Sequence, residues 1–538
     1  MTFDRLNAWR RRALHRGQVA LGVLSPARWH GIRSGAPVTA HSQRSRQIPL
    51  LSKSRYTAGL QCLKRLYLES HDPDRATLPG AGQESLFAAG TSAGILAQQL
   101  HPGGTLVDED HRHHHEAVLH TSELLQDPEL GALYEAAFTE DDIRIRADIL
   151  VRSEHGMWNL VEVKSATSVK DQYIDDVAVQ LHVLAHAGVQ VDRASVAVIN
   201  NQYVYSGGEH AVDQLFRVED VTALAQERLV GVPARLADMR AVLAGTNEPN
   251  IDIGSHCGHP YECQFVAYCR QNEPVWPIDD LPGLRATRID ELRSLGYRSL
   301  ATLPDSVPLN LMQRRVRDAV QSQQAWIADD LAEVLGTLVY PVHFVDFETV
   351  APWLPRWVGT RPYEAVPFQW SDHVLHADGV LEHAEFLAED TGDPREAFAA
   401  SLIRQLDGAG SLVVYSGYER TQLTALRRSL PGLASELDTV LSIAQFDLHP
   451  VVRNGYYHPG FRGSFSLKAV LPTMVPELAY TDLAIQHGDV ASLAFQQLWE
   501  NDVNAATRGQ IRADLLAYCE RDTLAMVRIV EALRVLAR

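Results

Sequence analysis

An apolar strand that carries two acidic residues constrains the fold of this chain more than any other feature. The run 342–349 has the β-branched and aromatic composition of a buried strand, yet it contains Asp346 and Glu348. Side chains two residues apart on a strand point to the same face, so the two carboxylates lie together. Burying charged groups is unfavourable unless they are paired or bind a metal. The rest of the chain must therefore bring compensating groups to this strand.

The last helix of the chain supplies a third acid. Asp522 falls on the apolar stripe of this helix, and Tyr518 lies one turn before it on the same face. An aspartate on an inward-facing stripe needs a partner, and a metal shared with Asp346 and Glu348 provides one. The apolar stripe consists of Leu515, Met526, Ile529 and Leu533.

This order of residues resembles the DEDD exonucleases of the RNase H-like class, in their tyrosine subtype. The resemblance implies an RNase H-like α/β exonuclease fold over residues 336–538, with Tyr518 positioning the attacking water. Glu419 has a longer side chain than the family's usual residue, and Asp447 is a secondary candidate that helix capping explains equally well. A domain that kept the fold and lost its metal is the alternative. The ligands implied for Mg²⁺ or Mn²⁺ are Asp346, Glu348, Glu419 and Asp522.

A second acidic site is predicted on a β-hairpin in the first half of the chain. The strand-like runs 145–151 and 158–164 flank a turn, so Asp148 faces the region of Glu162 on the partner strand. Glu162 and Lys164 are two residues apart and share one face. Two carboxylates that hold Mg²⁺ or Mn²⁺ beside a lysine suit the hydrolysis of a phosphodiester. Taken alone, a surface ion pair between Glu162 and Lys164 would also explain the pattern.

An amphipathic helix is predicted after this hairpin, with Gln180 at the edge of its apolar stripe and Gly188 able to end it. The order of an acid, Glu-x-Lys and a glutamine-bearing helix resembles the RecB-like branch of the PD-(D/E)XK nucleases. The resemblance implies a RecB-like restriction-endonuclease fold over residues 49–275. In that family the acids bind metal, the lysine is catalytic and the glutamine supports them. The residues assigned in this way are Asp148, Glu162, Lys164 and Gln180.

Two positions depart from the RecB-like pattern. Ala97 stands where that family has a histidine ligand, and Leu184 stands where a tyrosine follows the glutamine. Glu135, on a strand-like segment, is a candidate replacement ligand, although a surface carboxylate is an equal interpretation. These departures put the activity of the first site in question.

Four of the five cysteines are predicted to form one centre. Cys257, Cys263 and Cys269 follow a C-x₅-C-x₅-C spacing, and Cys62 lies far upstream. Grouped thiolates select zinc or an iron–sulfur cluster. The arrangement resembles the CRISPR-associated iron–sulfur exonucleases and helicase–nuclease subunits of the AddB kind, which implies a [4Fe–4S] cluster that staples the first domain. Zinc and plain buried thiols are the alternatives, and Cys519 is expected to be a core residue.

Composition indicates a globular protein of several domains. The chain has 538 residues and a net charge of −18, which exceeds one ordinary core in length. The chain has no run of eighteen apolar residues, so no membrane span is predicted. The small number of cysteines favours the cytoplasm. Negative charge does not exclude nucleic acid, because metal-binding carboxylates lower the formal charge. An arginine-rich, disordered extension is expected at 1–48, with a transit peptide as the alternative, and a helical connector at 276–335.

The two halves together resemble a bacterial family that fuses an iron–sulfur RecB-like domain to a DnaQ-like domain. The expected function is therefore that of a metal-dependent nuclease with two sites, acting on DNA in repair, processing or defence. A helicase is a candidate partner, and no membrane is expected to take part. One alternative is a nucleic-acid-binding scaffold in which one or both sites are inactive. Another is a redox-sensing protein that uses the cluster as its switch.

Overall fold

The computed structural model describes residues 50–389, 391–500 and 502–538. The predicted N-terminal extension at 1–48 lies outside these residues. The described chain divides into two compact units. Unit 1 contains residues 50–74, 90–199 and 207–251, and unit 2 contains 75–89, 200–206 and the described residues from 252 onward. Helices and sheets alternate in both units, so the protein is of the mixed α/β class.

Unit 1 is built on a seven-stranded mixed sheet. Its strands are β1 (Leu51–Ser52), β2 (Thr105–Leu106), β3 (Ala132–Glu140), β4 (Ile143–Arg152), β5 (Trp158–Lys164), β6 (Val191–Ile199) and β7 (Phe216–Asp220). The order is β2-β3-β4-β5-β6-β7, with β1 parallel to β4. The predicted hairpin is confirmed as the antiparallel pair β4 and β5, in which Ile149 is opposite Val161. This register brings Asp148 to the end of β5 that carries Glu162.

Helices come before and after the hairpin along the chain, and residues 81–89 of the third one belong to unit 2. The helices from residue 53 to residue 244 are α1 (Lys53–Gln61), α2 (Leu63–His71), α3 (Ala81–Ala97), α4 (His114–Leu124), α5 (Asp171–His186), α6 (Val212–Leu215), α7 (Thr222–Leu229) and α8 (Val232–Ala244). The predicted helix with Gln180 is confirmed as α5. Its stripe, which includes Val177 and Leu184, is buried in the core of unit 1. Gly188 follows with a φ of 75°, a conformation that glycine adopts without strain.

Unit 2 contains a five-stranded sheet and a small two-stranded one. The strands are β8 (Trp326–Ile327), β9 (Val342–Val350), β10 (Val366–Leu375), β11 (Leu381–Leu387), β12 (Ser411–Val414), β13 (Ala444–Asp447) and β14 (Tyr456–Tyr457). The larger sheet has the order β11-β10-β9-β12-β13, in which β9, β10 and β11 are antiparallel and β9, β12 and β13 are parallel. The apolar strand predicted at 342–349 is confirmed as β9, and it is central in this sheet.

The helices of unit 2 are short until the last one. They are α9 (Val266–Cys269), α10 (Ala286–Ser294), α11 (Leu311–Ser322), α12 (Leu331–Gly336), α13 (Arg395–Gln405), α14 (Tyr418–Ser429), α15 (Ala434–Ser442), α16 (Leu448–Gly455), α17 (Leu467–Met474), α18 (Gly488–Gln497) and α19 (Ala505–Leu536). The predicted long amphipathic helix is α19. Asn504 caps it by accepting a hydrogen bond of 2.9 Å from the backbone N–H of Thr507. The stripe formed by Leu515, Met526 and Leu533 is fully buried.

The segment predicted as a helical connector at 276–335 contains short helices, as expected. Its apolar side chains, among them Ile278, Leu292 and Val316, belong to the same buried core as Phe344 of β9 and Leu515 of α19. Because it shares this core, the segment is part of unit 2. Unit 1 ends at residue 251, ahead of the three clustered cysteines.

Candidate functional site

Three of the predicted acids come together in unit 2. Asp346 and Glu348 lie on one face of β9, and Asp522 of α19 points to the same place. One carboxylate oxygen from each lies within 4.8 Å of the others. Glu348 and Asp522 are buried, and Asp346 is partly buried. We call these three residues the acid group.

The local sequence explains this convergence. Even-numbered side chains of β9, such as Phe344 and Val350, face the core that contains the stripe of α19, so Asp346 and Glu348 must face it as well. Odd-numbered ones, such as Val345, pack into a separate cluster on the other face of the sheet. The alternation that makes β9 a strand buried on both faces thus aims its acids at the last helix.

The acids of this group resist ionisation. Burial raises the pKa of Asp346 and of Glu348 well above their ordinary values, and the charge of Asp522 raises both further. Burial also raises the pKa of Asp522 to about 6, although hydrogen bonding from Tyr480 and the charge of Lys468 act in the opposite direction. Three carboxylates this close cannot all carry a negative charge without a compensating cation.

Glu419, the fourth predicted ligand, is on the first turn of α14 and is not among the residues whose ligand atoms lie within 4.8 Å of one another. It is only 3% exposed, and burial raises its pKa to about 7. Its charge also contributes to the raised pKa of Asp346 and Glu348. Its buried Oε2 has no hydrogen-bond partner among the described residues. A buried carboxylate oxygen without a donor is available to a cation.

Tyr518 is buried against Lys468, a residue that the sequence did not single out. The Lys468 ammonium donates hydrogen bonds to the Tyr518 hydroxyl at 2.8 Å and to the Gln486 carbonyl at 2.6 Å. Burial and the neighbouring carboxylates raise the pKa of Tyr518, so its hydroxyl stays protonated. Because that oxygen accepts from Lys468, its own hydrogen can be donated to another group.

Two further residues near the acid group were not assigned to it by the sequence reasoning, although the prediction that Cys519 is a core residue is confirmed. The Tyr480 hydroxyl donates a hydrogen bond to Oδ1 of Asp522. Cys519, expected only as a core residue, is fully buried, and its Sγ lies 3.7 Å from Oδ2 of Asp346. Helical spacing could have indicated Cys519, since it lies three residues before Asp522 on the same face. No local pattern marks Tyr480.

Asp447, the secondary candidate, has an ordinary structural role. Its Oδ1 accepts hydrogen bonds of 3.0 Å from the backbone N–H groups of His449 and Ser416. It therefore caps α16 and holds the turn after β12. The capping interpretation given from the sequence accounts for it.

The donor set of unit 2 fits a divalent cation. It consists of hard carboxylate oxygens, which Mg²⁺ and Mn²⁺ prefer. Among the described residues that affect the charge of this site, Lys468 is the principal nearby cation, against four acids of which three are buried and Asp346 is partly buried. The excess negative charge and the unpartnered Oε2 of Glu419 both favour a bound cation. The residues that would hold it are Asp346, Glu348, Asp522 and Glu419.

The predicted site of unit 1 has a different charge balance. Oε1 of Glu162 accepts hydrogen bonds of 2.7 Å from two ammonium groups, those of Lys164 and Lys53. Lys164 also donates to Oδ2 of Asp176 at 2.7 Å. Oε2 of Glu162 accepts a hydrogen bond of 2.8 Å from Nε2 of Gln180. We call this cluster, together with Asp148, the lysine site.

Electrostatics separates the two predicted acids of the lysine site. Burial alone would raise the pKa of Glu162, but the charges of Lys164 and Lys53 lower it below its ordinary value. Burial and the charge of Glu162 raise the pKa of Asp148 to about 8. Oδ2 of Asp148 accepts a hydrogen bond of 2.7 Å from the backbone N–H of Val163. One acid is thus ionised and paired, while the other favours the protonated form.

The structure brings Asp148, Glu162, Lys164 and Gln180 together as predicted, but it adds two residues that the sequence did not suggest. These are Lys53, on the first turn of α1, and Asp176, one turn before Gln180 on α5. In the described part of unit 1, no three His, Cys, Asp or Glu ligand atoms lie within 4.8 Å of one another. A divalent cation at Glu162 would have to displace an ammonium group. Metal binding by Asp148 and Glu162 therefore stays a prediction.

Glu135 lies on β3, opposite Asp148 along the ladder between β3 and β4. Its φ of 58° interrupts the regular strand, and its carboxylate lies 3.9 Å from the guanidinium of Arg146. Burial raises its pKa, and the charge of Glu162 acts in the same direction. Glu135 is thus part of the electrostatic surroundings of the lysine site. Its role as a ligand stays a prediction.

The cysteines predicted to share a centre belong to different units. Cys62 stands between α1 and α2 in unit 1, whereas the other three belong to unit 2. Within unit 2, the backbone N–H of Cys263 donates a hydrogen bond of 2.8 Å to the carbonyl of Cys257, and Cys269 ends α9. The four-cysteine centre stays a prediction.

Comparisons with known proteins give little functional information. A family model described as "Domain of unknown function (DUF2779)" matches residues 343–466, which include Asp346, Glu348 and Glu419 but not Asp522. No curated protein matches the chain. The solved structure entitled "Crystal structure of SSO0001" is 14% identical, with 38% of this chain and 82% of that chain covered, and a TM-score of 0.20. A TM-score this low does not establish a shared fold.

In the described residues, no helix is long and apolar enough to cross a membrane.

The acid group should make the stability of the metal-free protein fall as the pH rises. The folded pKa of Asp522 is about 6, above the ordinary 3.8, so the folded state binds more protons than the unfolded state between these values. In EDTA, Asp522→Asn should therefore be more stable than the wild type at pH 7.5, and this advantage should shrink as the pH is lowered through 6. Thermal unfolding across this pH range measures the difference.

Divalent cations should instead stabilise the folded protein. A cation that binds only the folded state stabilises it by about 2.7 kcal/mol at a hundred times its dissociation constant. Mg²⁺ or Mn²⁺ should thus raise the unfolding temperature of the wild type more than that of Asp522→Asn. The control is Asp514→Asn on the same helix, where the native carboxylate accepts from Gln510. Equal responses of all three proteins would contradict a cation at the acid group.

Proposed function

We propose that this protein is a metal-dependent nuclease whose hydrolytic centre in unit 2 is the acid group with Glu419. The observation that carries the proposal is the excess of carboxylates over cations in this buried and partly buried set of four acids, which a divalent cation would balance. A bound Mg²⁺ or Mn²⁺ lowers the pKa of a water molecule and polarises a phosphoryl oxygen. The fold classes named from sequence, RNase H-like for 336–538 and RecB-like for 49–275, belong to this proposal and are supported by the order of the matched residues.

The residues of the chain would contribute to hydrolysis in distinct ways. Tyr518, whose oxygen already accepts from Lys468, has its proton directed away from that lysine and can orient a water molecule. Lys468 uses two of its three N–H groups for Tyr518 and Gln486, and its charge can stabilise a phosphoryl oxygen. Tyr480 fixes the orientation of Asp522 by donating to Oδ1. The carboxylates are thus held in fixed positions relative to a substrate.

The lysine site is proposed as a second hydrolytic centre, in which Lys164 is catalytic and Gln180 holds Glu162. The substrate class is nucleic acid, with DNA of single-stranded character preferred and a helicase as candidate partner. The proposed processes are DNA repair, DNA processing or defence, and the proposed location is the cytoplasm. These statements are supported by the resemblance of the ordered motifs rather than by contacts.

Substitutions at the two sites test the proposal. Labelled single- and double-stranded DNA and RNA are incubated with Mn²⁺ or with EDTA. Asp346→Asn and Asp522→Asn should each reduce cutting at unit 2 by about 100-fold or more, because a metal ion contributes several kcal/mol to the transition state. We expect residual cutting in Asp346→Ala or in Lys164→Ala, and none in the double variant.

Matched controls distinguish a lost site from a damaged fold. Asp514→Asn removes a carboxylate from α19 outside the acid group, and Lys170→Met removes an exposed ammonium at the start of α5. Both should cut at the wild-type rate. Cutting that persists in the double variant, or in EDTA, would show that these residues do not carry the activity.

A second candidate function, binding of nucleic acid without cutting, is favoured at the lysine site by one observation. Lys53 and Lys164 already neutralise Glu162, so this site has less need of a cation than the acid group. Two ammonium groups with side chains 23% and 22% exposed can contact phosphates. In this alternative unit 1 holds the strand and unit 2 cuts it.

The salt dependence of binding separates the two candidates. Anisotropy titrations with single-stranded DNA are performed in EDTA, where no cutting occurs. Each phosphate-contacting lysine contributes about 0.7 to the slope of log affinity against log salt. Lys53→Met and Lys164→Met should each reduce the slope by about this amount, whereas Lys170→Met should not. Unchanged slopes, together with lost cutting in Lys164→Met, would instead favour a hydrolytic role for Lys164.

A [4Fe–4S] cluster on Cys62, Cys257, Cys263 and Cys269 is part of the proposal, with zinc as the alternative. Protein purified anaerobically should contain about four iron atoms per chain and absorb visible light broadly. Cys263→Ser should lose this iron, and Cys519→Ser, which changes the fifth cysteine, should keep it. One zinc atom per chain would support the alternative, and colourless protein without either metal would exclude both.

A further inference from the structure

A group of two histidines and a glutamate lies in unit 2 outside the residues used by the proposed nuclease. It consists of His373 on β10, His383 on β11 and Glu520 on α19, and we call it the histidine group. One ligand atom from each lies within 4.8 Å of the others. His373 is buried, and His383 and Glu520 are exposed to solvent. The ligands therefore come from three elements and remain accessible to an ion.

The strand register explains why the histidines meet. His373 and His383 are directly opposite in the antiparallel pair β10 and β11, and their rings stack with centroids 4.5 Å apart. Directly opposite side chains on one face of a sheet are close neighbours. Glu385, two residues beyond His383, shares its face of β11 and adds a second carboxylate nearby.

Hydroxyl groups behind the histidines determine which ring nitrogens carry hydrogen. The Thr523 hydroxyl donates to the Glu520 carbonyl at 3.0 Å, so it must accept from Nδ1 of His373 at 2.8 Å and from Ser371 at 2.8 Å. The Ser371 hydroxyl is then left to accept from Nε2 of His383 at 2.9 Å. The lone pairs consequently lie on Nε2 of His373 and on Nδ1 of His383. Metal-binding histidines are oriented by outer hydrogen bonds of this kind.

The distance between His383 and Glu520 suits an ion better than a direct contact. Nδ1 of His383 lies 3.9 Å from Oε1 of Glu520, too far for a hydrogen bond. Ligands at about 2.1 Å from a tetrahedral zinc ion lie roughly 3.4 Å apart. The imidazole planes of His373 and His383 are inclined to each other by 29°. This angle must increase for one ion to lie near both planes. His383 is on β11, the edge strand of the sheet, and its side chain is open to solvent.

We propose that His373, His383 and Glu520 bind a Zn²⁺-like transition-metal ion that ties α19 to the edge of the five-stranded sheet. Imidazole nitrogen with carboxylate oxygen is a donor set that suits zinc, whereas the all-oxygen acid group suits Mg²⁺ or Mn²⁺. The ion has a structural role, since it links three elements that are distant in sequence. This site does not depend on the proposed nuclease activity.

Zinc titration calorimetry of the full-length chain tests this site. The protein is stripped of metal and kept in excess Mg²⁺, which occupies the acid group. The wild type should bind one more equivalent of Zn²⁺ than Glu520→Gln or His383→Gln, or bind that equivalent at least tenfold more tightly. The cysteines are unchanged in all proteins, so zinc bound there cancels in the comparison.

His376→Gln is the matched control, because His376, one residue after β10, lies 3.4 Å from Glu382 of β11 but belongs to no three-ligand group among the described residues. It should bind zinc as the wild type does. Zinc should also raise the unfolding temperature of the wild type and of His376→Gln more than that of Glu520→Gln, which changes an exposed side chain and leaves the core intact. Identical zinc stoichiometry and affinity in the wild type and both ligand variants would overturn the proposal.

Discussion

Mutual repulsion between buried carboxylates is the constraint on which the arrangement of unit 2 depends. Asp346 and Glu348 lie on a central strand, and Asp522 faces them from a helix packed on that strand. Such a cluster is unfavourable by itself, because burial penalises each charge and the neighbours penalise it again. It persists because the surrounding core, with Phe344 on β9 and Met526 on α19, fixes the backbone on both sides. Strain of this kind is typical of functional sites.

Unit 1 resolves a similar problem with side chains of its own. Glu162 is as deeply buried as the acids of unit 2, yet two lysines and Gln180 satisfy both of its oxygens. Removing one partner of such a group would leave an uncompensated buried charge. The two sites thus differ in charge balance: the acid group has more carboxylates than nearby cations, whereas the lysine site is internally balanced.

The sequence predicted the elements of both sites because periodicity is a local property. The apolar run 342–349 predicted β9, and the stripe through Leu515 and Met526 predicted the inward orientation of Asp522. Lys53 could not be found in this way, because it lies 109 residues before Glu162 and meets it only through the packing of α1. Lys468, 50 residues from Tyr518, is a similar case. Glu135 was predicted on a strand, but its positive φ has no counterpart in the residue pattern.

The rotation of α19 about its axis determines whether the acid group exists at all. Successive residues of a helix are separated by about 100°, so Asp522 and Cys519 face β9 while Thr523 and Glu520 face β10 and β11. Thr523 hydrogen bonds to both Ser371 and His373 on β10, the strand beside β9, and these bonds fix the rotation of the helix. A change of one residue in register would turn Asp522 away from Asp346 and Glu348. The polar network at the sheet edge and the acid group are therefore two consequences of a single helix orientation, and whatever strengthens the first holds the second in place.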